Sequence, residues 1–230
     1  MCWLLPTHNE LPVLEYQGER PSSRGLLGGE LNTMDQPQAN IAHVGAYTFD
    51  AYRPEPGWWV DDPTGLHGIG HTTRVLIWAD RVAAGLEANT IAVDREVVRW
   101  AAVLHDCRRD DDGADPAHGA RAARWFDAHA ADLAPALTPA QVSKVCYCMQ
   151  WHVPPDRLSP RLTPELQALK DGDGLDRGRL GDFDAAYLRT PYLHGWEEVA
   201  RQLWKATRPR LGLDPWSSVR AAALSRGLWR

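Results

Sequence analysis

The residues best suited to chemistry lie in the stretch 101–124, AAVLHDCRRDDDGADPAHGARAAR. An adjacent His105–Asp106 pair ends a very apolar segment, and His118 follows in the next helical stretch. A carboxylate in an apolar setting is costly unless its charge is compensated. Near a helix C-terminus it also faces the negative end of the helix dipole. A cationic partner or a metal ion meets both demands. Three further polar residues, His71, His152 and Asp173, fall on the apolar stripes of other expected helices. Singly, each has a bland explanation, a satisfied core histidine or a carboxylate capping a neighbouring helix. Together they bring imidazoles and carboxylates from five consecutive helices to one place, the donor set that divalent metals take in helical bundles. Neutral imidazole and ionised carboxylate are the ligand forms, and the ion offsets the burial of the charge.

The elements that must position these groups read as helices from residue 66 onward. In 66–86, His71, Val75, Trp78 and Val82 recur at steps of four, three and four, the spacing of one helical face. The segment 95–105 is apolar over much of its surface, which marks a central helix. Asp115-Pro116 reads as an N-cap followed by proline at the first helical position. The helix after it aligns His118, Ala122, Trp125, His129 and Leu133. Thr138-Pro139-Ala140-Gln141 is a capping box, and Val142, Val145, Met149 and His152 share the face that follows, until Pro154-Pro155 stops it. Thr163-Pro164 opens a helix aligning Leu166, Leu169 and Asp173, weakened by glycines 172, 174 and 178. Residues 197–207 and 217–228 read as two terminal helices.

Residues 1–62 are rich in Gly, Pro and polar side chains, with short β-like pieces at 11–16 and 44–52. They read as an irregular extension of loops wrapping the core, a lid carrying Trp58 and Trp59 being the lesser alternative, ahead of one all-α domain over 63–230. A chain of 230 residues with 44% apolar content can bury a sizeable core. The formal net charge of −5 gives no basic field, which argues against a nucleic acid partner. Apolar runs are too short to span a membrane, and the first residues lack the pattern of a secretory signal. Cys2, Cys107, Cys146 and Cys148 lack zinc-knuckle spacing, so a reduced cytoplasmic protein with structural cysteines is expected.

Other histidines compete for the ligand role. His67 stands one turn before His71, but no HExxH glutamate lies between them, and it reads as packing or as a partner of the ligands. His129 shares the stripe of His118, yet eleven helical residues give about 16 Å of rise, too far to share one ion. It reads as a packing or surface residue, as does His194, while His8 and His43 lack metal-like spacing. For phosphate, guanidinium and ammonium groups stand near the ligands: Arg108 and Arg109 after the HD pair, and Arg74, Arg121, Lys170 and Arg177 elsewhere. Most of these read as partners of nearby aspartates. No P-loop, GxSxG elbow or GxGxxG occurs.

The ordered pieces HGIGHTTRV, LHDCRRDDDGADPAHGARAA and KDGDGLDRGRLG resemble the HD-domain metal-dependent phosphohydrolase superfamily, whose pattern is H…HD…D, and in particular a small bacterial branch of it. The resemblance spans about residues 66–183 and implies a helical bundle. It implies that His71, His105, Asp106 and Asp173 hold a first divalent metal, drawn from Fe, Mn, Co, Mg, Ni or Zn. In dinuclear members two intervening histidines hold a second metal bridged by the HD aspartate, and His118 and His152 match them. His118 follows Asp106 more closely than in many such members, which leaves metal ligation and substrate contact as alternatives. The implied activity is hydrolysis of a small phosphate ester or nucleotide, with Asp106 at the metals and Arg108 or Lys170 steadying the phosphoryl group. A mixed-valent diiron oxygenase is the rival within the same superfamily. A regulatory module is the third class, disfavoured by the intact ligand set.

Overall fold

The structure is a computed structural model that describes residues 49–193, 195–210 and 212–229. Cys2, His8, His43, His194 and the β-like piece at 11–16 lie outside the described residues. Among those described, seven α-helices occur and no strand, so the domain is all-α. None of its helices is long and apolar enough to cross a membrane.

Helix α1 (Ile69–Ala88) runs through the middle, with Val75, Leu76, Ile77, Trp78, Ala79, Val82 and Ala83 all buried. Its main partners are α5 (Pro164–Asp176) and α2 (Arg95–Leu104). Gly172 sets the approach of α5, because a Cβ there would lie 2.7 Å from the Ala79 backbone nitrogen. The glycine that weakens the helix by propensity is therefore what lets α5 lie against α1. Helix α5 continues through Asp176, and Asp173 Oδ1 lies 3.5 Å from His71 Nε2 in the first turn of α1. Helix α2 is capped by Asp94, whose side chain accepts from Val97 N, and is tied to α1 by Arg99 Nε donating to Asp80 at 2.7 Å.

Helices α3 (His118–Leu133) and α4 (Pro139–Trp151) pack side by side as an antiparallel pair on the far side of α2. The capping box at Thr138 and Gln141 forms as the sequence reads. Gly119 at the start of α3 meets the end of α4 so closely that a Cβ would lie 2.3 Å from Met149 O and 2.9 Å from the His152 ring. Helices α6 (Trp196–Ala206) and α7 (Pro215–Leu224) close the other side of α1.

Four local expectations change. Phe49–Tyr52, the described part of the β-like piece 44–52, is a 3-10 turn. Phe49 and Tyr52 are three apart and both buried, one against Trp229 and the other against Trp100, which a helical turn achieves and strand alternation does not. Helix α3 begins at His118, not directly after Asp115. The Asp115 carboxylate still accepts from the backbone N–H of Ala117, in the turn ahead of the helix, and also from Arg121 and the backbone N–H of Asp110. The buried stripe of α3 runs through Ala122, Phe126 and Ala130, leaving Trp125 half-buried and His129 exposed. Helix α7 starts at Pro215, two residues early, because Asp214 supplies its cap by accepting from Ser217 N.

Candidate metal centre

Five helices end or begin at one place. His71 stands in the first turn of α1, while His105 and Asp106 follow the last turn of α2. His118 opens α3, His152 caps α4, and Asp173 lies in the last turns of α5. The structure thus brings together all six residues that the sequence marks as ligands.

Asp106 is at the centre, and its two oxygens face different groups. Oδ2 lies 3.4 Å from His71 Nε2 and 3.7 Å from His105 Nε2, while His71 Nε2 is also 3.5 Å from Asp173 Oδ1. Oδ1 lies 2.9 Å from His118 Nε2 and 3.7 Å from His152 Nε2, and those two nitrogens are 2.9 Å apart. Donor atoms about 2.0–2.2 Å from one ion, at tetrahedral or octahedral angles, are spaced about 3.0–3.5 Å apart. Both lobes approach that spacing, and the Asp106 carboxylate spans them.

The protons of the imidazoles are spoken for on the outer side. His71 Nδ1–H donates to Asp176 Oδ2 at 2.8 Å, His105 Nδ1–H to Ala102 O at 2.8 Å, and His152 Nδ1–H to Met149 O at 2.6 Å. His118 Nδ1 has the Asp115 carbonyl at 2.5 Å as its nearest partner, with the Arg109 guanidinium at 3.2 Å. These acceptors fix the tautomers, so four Nε2 lone pairs point inward. The Nε2 atoms of His71 and His105 are buried without a hydrogen-bond partner. A proton is disfavoured at His105, because burial pushes its pKa down to about 3. Inward lone pairs beside two carboxylates are what a divalent cation satisfies. The buried His/Asp cluster can hold metal.

Electrostatics keep the carboxylates ready. Burial drives the Asp106 carboxyl up, but whenever the surrounding imidazoles of His105, His118, His152 and His67 carry a proton towards it they hold it well below the usual range. Asp173 is likewise raised by burial and lowered further by His71, His105 and Arg179. The Asp173 side chain is 28% exposed while that of His71 is fully buried, so the centre opens to solvent beside Asp173.

Around the ligands stand Asp176 and Arg179, which the sequence did not single out, and Arg74, which it offered for phosphate. Asp176 accepts from His71 and is clamped by Arg74, through Nε at 2.7 Å and Nη2 at 3.0 Å. Burial raises its pKa, but Arg74, His71 and Arg179 hold it far below the usual range. The signal was spacing: Asp176 lies three residues after Asp173, and Arg74 three after His71, so each pair shares a helical face. Arg179 donates to Leu66 O and Asp176 O and approaches His67 Nδ1 at 3.1 Å.

His67, read from sequence as packing or a partner of the ligands, lies in the turn before α1 with Nδ1 2.9 Å from Asp106 Oδ2. It joins His71 and Asp106 in a group whose donor atoms all lie within 4.8 Å of one another. Of the two residues expected to steady phosphate, Lys170 is engaged away from the cluster and Arg108 is stacked on an aromatic ring. Lys170 Nζ donates to Pro154 O at 2.6 Å and Asp156 Oδ1 at 2.8 Å, so it fixes the turn after α4 and makes no contact with the cluster. Arg108 lays its guanidinium 4.2 Å from the Trp125 ring centre, with Trp58 beside that ring. Arg121 and Arg177 pair with acidic neighbours, Asp115 and Asp182.

Comparison of the chain with family models, curated proteins and solved structures returned no match. The functional reading therefore rests on the site itself.

Proposed function

We propose that the centre holds two divalent metal ions and that the protein is a metal-dependent phosphohydrolase acting on a small phosphate ester or nucleotide, as its resemblance to the HD-domain superfamily implies. The observation that carries this reading is the Asp106 carboxylate between two sets of inward Nε2 lone pairs. One lobe is His71, His105 and Asp173; the other is His118 and His152. Bound there, divalent ions supply Lewis acidity, lowering the pKa of a water and neutralising charge that develops on phosphoryl oxygens.

The protein's own residues set the conditions for that chemistry. Asp176, Ala102 O, Asp115 O and Met149 O fix the four imidazoles with Nε2 inward. Asp106 stays ionised and faces both lobes. The opening at Asp173 admits substrate, and His67 stands beside Asp106 with its side chain 14% exposed, within reach of a proton on a group bound there. Arg108 remains the candidate for phosphate among the residues proposed from sequence. Lys170 does not, because its ammonium is engaged.

The test is phosphate release from a panel of phosphomonoesters and nucleotides by chelator-stripped protein reloaded with Mn²⁺, Co²⁺ or Mg²⁺ under nitrogen. Turnover without oxygen, absent in Asp106→Ala, is the expected result. Turnover seen only with iron and dioxygen assigns the chain to the oxygenase alternative instead.

A further inference from the structure

A cavity of about 270 Å³ lies between the first turns of α1 and the segment joining α6 to α7, with Gly70, His71 and Arg74 on its α1 wall. Neither Asp106 nor Asp173 lines it, and no aspartate or glutamate does. Three arginines do: Arg74, Arg208 and Arg210. Arg74 has a counter-ion in Asp176, reached through Nε and Nη2. Its remaining Nη1 faces Thr207 Oγ1 at 3.4 Å, a long contact that leaves a donor available. Arg208 and Arg210 are exposed and have no carboxylate partner among the described residues. The nearest acids along the lining segments are committed elsewhere, Asp62 to Thr64 and Asp214 to Arg53. Trp204 organises the cations, with the Arg74 guanidinium 4.8 Å and that of Arg208 5.8 Å from its ring.

Concave shape, the two guanidiniums of Arg208 and Arg210 without a carboxylate partner, and Arg74 Nη1 beside its Asp176 ion pair suit an oxyanion. One carboxylate would neutralise a single cation, whereas a phosphate dianion with several acceptor oxygens suits the set. Pockets for drug-sized ligands run to about 300–1,000 Å³, so this cavity suits phosphate with few atoms attached. We propose that it binds inorganic phosphate or the phosphate group of a small metabolite, independently of the metal ions.

This inference does not depend on the phosphohydrolase reading, and the experiment separates the two. The full chain, stripped of metal, is titrated calorimetrically with inorganic phosphate at low ionic strength. Saturable binding is expected in wild type and in Asp106→Ala, in which the metal centre is broken. The double variant Arg208→Ala, Arg210→Ala is expected to lose at least about tenfold in affinity, while its metal content stays that of wild type. No saturable binding to stripped wild type, loss of binding in Asp106→Ala, or unchanged affinity in the double variant would each overturn the proposal. A phosphate-release screen that fails while this titration succeeds removes the hydrolase reading alone.

Discussion

His71 Nδ1 and Asp176 Oδ2 are 2.8 Å apart, and Arg74 grips the same carboxylate from the other side. The contact turns His71 so that its bare Nε2 faces Asp106, and it gives the imidazole an anionic partner that strengthens it as a donor. Asp176→Asn keeps the shape and removes the charge. Losses at such outer partners run to about 10–100-fold in metal affinity, and that range is expected here. Competition against a chromophoric chelator measures it, and wild-type affinity in the variant would remove Asp176 from the metal centre.

Metal counting tests the two lobes. Fully loaded wild type is expected to bind about two ions, the content of centres in which a carboxylate joins metals about 3.5–4 Å apart. His118→Ala and His152→Ala should fall towards one, and Asp106→Ala should lose most of both. Elemental analysis of dialysed protein reads the result. A single ion in wild type and in both histidine variants would retire the second lobe and leave His118 for substrate.

Gly172→Ala sets two effects against each other. Alanine gains about 1 kcal/mol in helix propensity, yet its Cβ would meet the Ala79 backbone nitrogen at 2.7 Å. Overpacking of this kind costs about 1–3 kcal/mol, and backbone on the facing side has little freedom to yield. A lower melting temperature is therefore expected. Differential scanning calorimetry decides, and a raised melting temperature would show that α5 and α1 are free to separate.

Acid should weaken the metal-free protein early. Burial lowers the pKa values of His67 and His105, the latter to about 3, whereas the unfolded chain takes up those protons near pH 6.5. Between these values the unfolded state binds more protons, so stability falls as pH falls. Asp106 and Asp176, both held low, add to the loss as pH falls into and below the usual carboxylate range, where the unfolded chain takes up protons first. Melting temperatures of chelator-treated protein should decline steadily from about pH 6.5 downward. A flat profile down to pH 4.5 would contradict this balance.

Cys107 and Cys148 should resist alkylation in the folded state. Burial raises both thiols, Cys107 to about 12, so neither offers thiolate at pH 8. Peptide mass mapping after iodoacetamide should find them unmodified in native protein and modified in denaturant. Rapid native labelling of either would place it nearer the surface than the structure does.

The helical class was legible because the stripes at His71, Val75, Trp78 and Val82 and at Val145, Met149 and His152 follow the period of a buried face. The caps at Thr138 and Thr163 were legible because they are local chemistry. Gly172 was not: its effect on propensity is visible in the chain, but its use depends on Ala79, far away in sequence. Asp176 was missed for a similar reason, as its meaning comes from His71 and Arg74 across the core. His67 stayed ambiguous because it sits in a turn, where helical phase says nothing about direction. The cation set was the least readable, because only the fold shows which arginines and lysines already have partners.

The meeting of Asp106 with His71 and Asp173 gives the chain a clasp. An ion shared by His71 and Asp173 closes a loop of roughly 100 residues, and a covalent cross-link over that span is worth about 4.7 kcal/mol in loop entropy. Much of that restriction would arrive only when the ion does. Were the centre filled in this way, the supply of metal would set how long the folded chain survives proteolysis, and protein abundance would track metal availability even when transcription does not change.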